Sequence, residues 1–169
     1  LYIREGLDLT PLKFGGTGSN SASEIQPNFL PDKYESGTLN LPGIAGLKAS
    51  VEFIAKKGVE KIQTQMQNLT NILIERLSVV PGIIIYGTKN KNLQTGVVSI
   101  NIKEKEPSEV GDFLDRKYDI AVRVGLHCSP QTHKTIGTFP KGTVRISLGP
   151  FNTPEDIDNL CKALCLIAG

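Results

Sequence analysis

The chain has 169 residues, and its 19 basic and 17 acidic side chains give a formal net charge of +2. This balance does not favour a nucleic-acid binder or a polybasic membrane anchor, and 39% hydrophobic residues argue against disorder. No apolar run approaches the roughly 20 residues that a membrane-spanning helix needs. Three cysteines do not suggest a disulfide framework, which favours a reducing, cytoplasmic location.

Residues 1–42 show no clear periodicity and include a glycine-rich run at 15–18. Apolar residues then recur at helical spacing from 44 to 54 and from 59 to 77, which predicts two helices separated by Gly58. Four strands are predicted, of which the first is a short buried one; they lie at 83–86, 98–102, 120–124 and 144–148. Pro107 can occupy the first turn of a helix, and Thr153 caps the last helix.

The order of elements after residue 58 is thus helix, two strands, helix, two strands, helix. Four strands are too many for the crossovers that an all-parallel sheet would need. The sequence therefore predicts an α+β fold, with helices packed on one face of a mainly antiparallel sheet.

Two arginines are predicted to point away from the core. Because side chains alternate along a strand, Arg123 and Arg145 take the face opposite to their aliphatic neighbours. If the two strands are neighbours, both guanidinium groups converge on one surface, and each has a planar fork that matches a carboxylate. The alternative is that both are ordinary solvated arginines on an open sheet face.

A histidine and a cysteine follow the first of these strands. The chain turns at Gly125 and presents His127 and Cys128 within a few residues of Arg123. A thiol is a good nucleophile only as the thiolate, which neighbouring cations favour. Cys128 is therefore a candidate nucleophile, and the alternative is an inert buried thiol.

The other two cysteines are interpreted as packing residues. Cys161 and Cys165 lie four residues apart, beside the apolar residues of the last predicted helix. Neither they nor the two histidines have CxxC or HxxxH spacing, so no metal site is predicted.

The segment VRVGLHCSP at 122–130 resembles the R-x-G-x-H-C-A-x-P signature of cysteine desulfurases and selenocysteine lyases, which are class V aminotransferase-type pyridoxal-phosphate enzymes. Three more segments resemble the family in the same order, LYIREG at 1–6, YESGTLNLPGIAGL at 34–47 and VRISLGPFNTPEDID at 144–158. This resemblance covers essentially the whole chain.

The resemblance implies the C-terminal part of a fold type I transferase. Residues 1–42 would be the tail of the large domain, with glycine-rich and dimer-contact loops. Residues 43–58 would be a connecting helix, and residues 59–169 the small α+β domain.

The same resemblance implies that sulfur or selenium is removed from cysteine or selenocysteine, leaving alanine. Cys128 would be the nucleophile that holds the sulfur as a persulfide, and Arg145 would pair with the substrate carboxylate. Arg123 would assist at that site. His127 matches a family position, with a role as base and a role in orienting the loop both open.

The implied cofactor is pyridoxal 5'-phosphate in a homodimer, with a sulfur-acceptor protein as a further partner. Gly37 and Thr38 would reach the phosphate of the other subunit through backbone N–H and hydroxyl donors. The Schiff-base lysine of the family lies in an S-x-H-K motif that is expected before residue 1. His133-Lys134 follows the cysteine and does not fit that place, so this chain alone is expected to be inactive.

Two other functions stay open at this point. One is an aminotransferase-like or epimerase-like member of the family in which Cys128 is a bystander. The other is a stand-alone α+β module that binds an anion through Arg123 and Arg145.

Overall fold

A computed structural model describes residues 1–20, 22–88, 90 and 93–169. The chain divides into two compact units, residues 1–56 and residues 57–169. None of the helices formed by the described residues has the length and apolar character that a membrane span requires.

The first unit is irregular up to residue 40 and then helical. Its irregular segment is held by side-chain bonds between distant residues; the Tyr34 hydroxyl, for example, accepts a hydrogen bond from the Leu9 N–H at 2.9 Å. The helix α1 spans Leu41–Lys57, close to the predicted 43–58. It ends before Gly58, whose φ of 88° interrupts the helical path. No described residue of 1–56 is buried.

The second unit contains four helices and four strands. In chain order they are α2 Val59–Leu77, β1 Ile83–Tyr86, β2 Val97–Ile102, α3 Pro107–Tyr118, β3 Arg123–Gly125, α4 Pro130–Thr135, β4 Thr143–Ser147 and α5 Pro154–Ala168. The strands form one sheet in the order β1-β2-β4-β3, and every neighbouring pair is antiparallel. The predicted α+β fold with an antiparallel sheet is confirmed.

Three elements differ from the prediction. The third strand begins at Arg123 rather than at 120, because the Ile120 N–H bonds to the Leu114 carbonyl at the end of α3 instead of joining the sheet. The first strand lies at the sheet edge, so Ile84 is 40% exposed and the strand is not fully buried. The short helix α4 has no apolar period, and the sequence pattern gave no signal for it.

The core lies between the sheet and α2, α3 and α5. Alternate residues of the central strands point into it, as in the burial of Val98, Ile100 and Ile102 along β2. Within the described residues, every buried hydrophobic side chain falls between positions 69 and 164. The opposite sheet face is therefore left to the polar residues of the same strands.

The two cysteines of α5 differ in burial. Cys161 is buried, as expected for a packing residue, whereas Cys165 is exposed. A step of four residues advances about 400° around a helix, so Cys165 lies about 40° beyond Cys161 and outside the packed face. The interpretation of Cys165 as a core residue is wrong.

Candidate functional site

The two predicted arginines lie directly opposite each other in the sheet. Strands β3 and β4 are antiparallel neighbours, and their register pairs Arg123 with Arg145. Ser99 of β2 pairs with Arg145 from the other side. The condition set by the sequence, that the two strands be adjacent, is thus met.

Arg145 is a partly buried cation without an anionic partner. Its Nε is buried and has no hydrogen-bond partner among the described residues. No carboxylate in the described part of the chain pairs with it. A buried donor that lacks an acceptor costs about 1–3 kcal/mol, so this arginine is suited to hold an external anion.

Two neighbours of Arg145 lie on the same sheet face and resemble it in their hydrogen bonding. The side-chain oxygens of Thr143 and Asn101 are also buried, again without partners among the described residues. The Asn101 amide nitrogen is used, since it donates to the Gly142 carbonyl at 3.1 Å. The sheet therefore offers a donor and two acceptors beside the cysteine loop.

The loop after β3 carries two consecutive non-glycine residues in the left-handed region. Gly125 has a φ of 101°, His127 of 51° and Cys128 of 59°. This conformation costs roughly 1–2 kcal/mol for each residue other than glycine, and strained residues of this kind cluster at functional sites. The turn brings the Cys128 thiol back towards the strand that precedes it.

Cys128 is exposed, is not part of a disulfide and contacts Arg123. The Nη2 of Arg123 donates to the Cys128 Sγ at a distance of 3.5 Å. A donor that carries a positive charge binds a thiolate more strongly than a neutral thiol. The loop therefore places a cation on the sulfur of the candidate nucleophile.

His127 is bonded to the backbone of the same strand. Its Nε2 lies 3.1 Å from the Arg123 carbonyl oxygen. Since a carbonyl only accepts, Nε2 must carry the hydrogen, and the lone pair of the neutral ring sits on Nδ1. Burial lowers the pKa of His127, and the charges of Arg145, His133 and Arg123 lower it further, against the opposing effect of the bond to the Arg123 carbonyl.

Behind this loop lies His133 of α4, a residue to which the sequence reasoning gave no role. It is buried, and its Nδ1 lies 2.7 Å from the hydroxyl of Thr138, which is also buried. Its ring centroid is 5.6 Å from that of His127. The Thr138 N–H also donates to the His133 carbonyl, at 2.8 Å. A single histidine in a short segment without apolar periodicity carries no burial signal, so only the structure identifies this contact.

The predicted phosphate contacts lie in the first unit and are not equivalent. Gly37 has a φ of 83°, and its N–H donates to the Gly16 carbonyl at 2.9 Å. This backbone donor is engaged within the chain in this structure, and its contact with a phosphate stays a prediction. Thr38 is exposed, and its hydroxyl has no hydrogen-bond partner among the described residues. Thr38 is the better candidate for a phosphate contact.

Metal ligands are not grouped in the described ranges. Among those residues, no set of three or more His, Cys, Asp or Glu side chains could hold a metal ion.

The chain is similar to known cysteine desulfurases along nearly its whole length. It is 34% identical over 172 aligned positions to cysteine desulfurases of Salmonella newport (strain SL254) and Salmonella typhi, which covers 99% of this chain and 41% of each relative. The chain thus spans about two fifths of the length of these curated relatives.

Solved structures give the same result. The apo cysteine desulfurase of Thermococcus onnurineus NA1 matches 82% of the chain and 34% of its own length, with a TM-score of 0.76 and 31% identity. The cysteine desulfurase CsdA of Escherichia coli matches 94% of the chain and 39% of its own length, with a TM-score of 0.78 and 25% identity. A family model described as aminotransferase class-V matches residues 1–160. The chain belongs to the class-V aminotransferase family.

Proposed function

We propose that this chain supplies the nucleophile and the carboxylate-binding arginine of an enzyme that removes sulfur from cysteine, or selenium from selenocysteine. The observation that carries the proposal is the arrangement on one sheet face. There the Cys128 thiol contacts a guanidinium, while the guanidinium of Arg145 has no anion among the described residues. The cysteine desulfurases among its relatives support the proposal.

In this reaction the Cys128 thiolate attacks the sulfur atom of the bound amino acid. A sulfur–sulfur bond forms, the carbon–sulfur bond breaks with its electron pair going to carbon, and a proton completes alanine. The sulfur stays on Cys128 as a persulfide. Arg145 holds the substrate carboxylate through two parallel N–H donors, which fixes the orientation of the substrate.

His127 orients the nucleophile loop in this proposal. Its Nε2–H bonds to the Arg123 carbonyl, so Nδ1 is the atom of the ring that can accept a proton. Because burial lowers its pKa, the ring is neutral at neutral pH and adds no second cation beside the arginines.

The class-V aminotransferase family depends in general on pyridoxal 5'-phosphate, which supplies the electron sink for cleavage of the carbon–sulfur bond when it is bound. One residue of this chain, Thr38, fits a contact with the phosphate of the cofactor. The exposed Thr38 hydroxyl can donate to a phosphate oxygen, whereas the Gly37 N–H is already bonded to Gly16.

We further propose the arrangement of the whole protein. Residues 1–42 belong to the tail of the large domain, 43–58 to the connecting helix and 59–169 to the small domain. The enzyme is a cytoplasmic homodimer in which Thr38 serves the cofactor of the partner subunit, and a sulfur-acceptor protein takes the persulfide sulfur. The 169 residues contain no S-x-H-K motif, so this chain is inactive by itself.

The test is the substitution Cys128→Ala in the full-length protein with its cofactor, in an assay of sulfide and alanine release from cysteine. We expect release to fall by at least about a hundredfold, since the reaction loses its nucleophile. The control is Cys165→Ala, which removes another exposed thiol and leaves the rate unchanged.

Sulfide release that survives in Cys128→Ala without added thiol would contradict the assignment. In that case transamination or racemisation of amino acids would be the next activities to assay. The aminotransferase-like alternative and the stand-alone anion-binding module are not favoured, because the matching curated relatives are cysteine desulfurases.

A further inference from the structure

Arg123 is bonded to both residues of the left-handed pair. Its carbonyl oxygen is 3.1 Å from His127 Nε2, and its Nη2 is 3.5 Å from Cys128 Sγ. The Arg123 carbonyl therefore holds His127, and the Arg123 guanidinium holds Cys128. Arg145 shares no such bond within the described part of the chain.

Arg123 and Arg145 lie opposite each other on adjacent strands, which indicates that each arginine has an anionic partner of its own. Like charges directly opposite each other on adjacent strands destabilise a sheet. The repulsion is offset when each cation faces an anion of its own. In this structure Arg123 faces the sulfur, and Arg145 is the cation that is left without a partner.

The different burial of the two side chains agrees with this division. Arg123 and Cys128 are both exposed, so their contact is formed at the surface of the loop. Arg145 is partly buried, and its Nε is fully enclosed beside polar atoms that also lack partners. A ligand that reaches Arg145 can bind its free fork without displacing Arg123 from the sulfur.

We propose that Arg123 is a positioning residue of the nucleophile and not a second ligand of the substrate carboxylate. It holds the Cys128 sulfur in place through the Nη2–Sγ contact, and Arg145 alone binds the carboxylate. The role of Arg145 rests on the proposed function, whereas the role of Arg123 rests on its contact with Cys128.

The experiment compares Arg123→Gln with Arg145→Gln in the full-length protein with its cofactor. The first measurement is the rate of Cys128 alkylation by iodoacetamide at pH 7 without substrate. Peptide mass spectrometry monitors the alkylation of Cys128, and alkylation of the exposed Cys165 is the internal reference. The second measurement is the KM for cysteine in the sulfide-release assay.

We expect Arg123→Gln to slow Cys128 alkylation about tenfold relative to Cys165, because a charge-assisted contact with the thiolate is lost. The KM of this variant should stay within about twofold. Arg145→Gln should raise the KM at least about tenfold and leave the alkylation rate within about twofold. Arg123→Lys, which keeps the charge, should recover most of the alkylation rate.

A matched control is Arg116→Gln, which removes an exposed arginine paired with Asp112 and should change neither measurement. The proposal is overturned if Arg123→Gln alkylates like the wild type, or if it raises the KM as much as Arg145→Gln. Labelling of the buried Cys161 would report an unfolded variant. In that case Arg123→Lys and Arg145→Lys decide the question, with only the latter expected to raise the KM.

The proposed function can fail separately. A protein that releases no sulfide from cysteine has no KM to compare, but the alkylation rates still decide whether Arg123 controls Cys128.

Discussion

The left-handed conformation of His127 and Cys128 is the local feature on which the candidate site depends. Neither residue is a glycine, so each holds this conformation at an energetic cost. The His127 Nε2–H bond to the Arg123 carbonyl and the Arg123 Nη2 bond to the Cys128 sulfur oppose relaxation of the loop. Part of the stability of the protein is therefore used to keep the thiol beside its cation.

At the scale of single residues, we predict that His127 is neutral and protonated on Nε2 at neutral pH. Burial lowers the pKa of this residue below its ordinary value of about 6.5. The unfolded chain then binds more protons than the folded chain between the two pKa values. As far as His127 controls it, the free energy of unfolding should therefore be highest above about pH 6.5. It should decrease as the pH falls towards the folded-state pKa.

Nitrogen-15 NMR of the two histidine rings measures the pKa of His127 and shows which ring nitrogen carries the hydrogen. A His133→Gln variant assigns the signals to the two residues. Arg145→Gln should raise the pKa of His127, since it removes a nearby positive charge, whereas Arg116→Gln should not. A His127 signal that titrates above pH 6.5 in the wild type would be inconsistent with this environment.

The sequence predicts the site residues unevenly. Arg123 and Arg145 follow from the two-residue period of strands, because an arginine between aliphatic residues must take the opposite face. The proposed role of Arg123 at the sulfur rather than at the substrate does not follow from this period, since it depends on the φ angles of the loop. The sequence gives no sign of a role for His133, because its burial arises from the fold of α4 and not from a periodic pattern.

At the scale of elements, α5 shows how local chemistry fixes a helix start. The Thr153 hydroxyl accepts from the Asp156 N–H at 3.3 Å, and the Asp156 carboxylate accepts from the Thr153 N–H at 2.9 Å. This reciprocal capping is predictable from the sequence because it involves only residues three apart. The strand β3 was placed less accurately, since its start depends on a bond to the end of α3.

We predict that Thr153→Ala lowers the free energy of unfolding by about 1 kcal/mol, because one N–H at the helix start loses its acceptor. Urea unfolding followed by circular dichroism measures the change. Thr153→Ser keeps the hydroxyl and is the control, with an expected change below about 0.5 kcal/mol. Equal losses in the two variants would argue against the capping bond as the cause.

Among the described residues, burial is confined to the second unit. The described residues of 1–56 are all exposed or partly exposed, and the core side chains come from the sheet and three helices. This core follows from the predicted periodicities, because each helix and strand keeps its apolar residues on one side.

We predict that Leu164→Ala in α5 lowers the free energy of unfolding by about 2–5 kcal/mol, because Leu164 is fully buried in the core. Leu166→Ala, on the same helix, is the control, since Leu166 is 67% exposed and its loss should cost less than about 0.5 kcal/mol. Chemical denaturation compares the two variants. Similar losses of unfolding free energy in the two variants would mean that α5 packs through the face that carries Leu166.

The cysteine and both arginines lie on two paired strands and the connection between them. The ladder between β3 and β4 fixes the arginines, whereas the connection fixes the thiol. The entropic cost of a longer connection grows slowly with its length, so we expect an insertion at the exposed positions 136–137 to leave the register of β3 and β4 unchanged. Under the proposed function, a change in this connection would alter how the sulfur is presented to an acceptor without altering how the substrate is held.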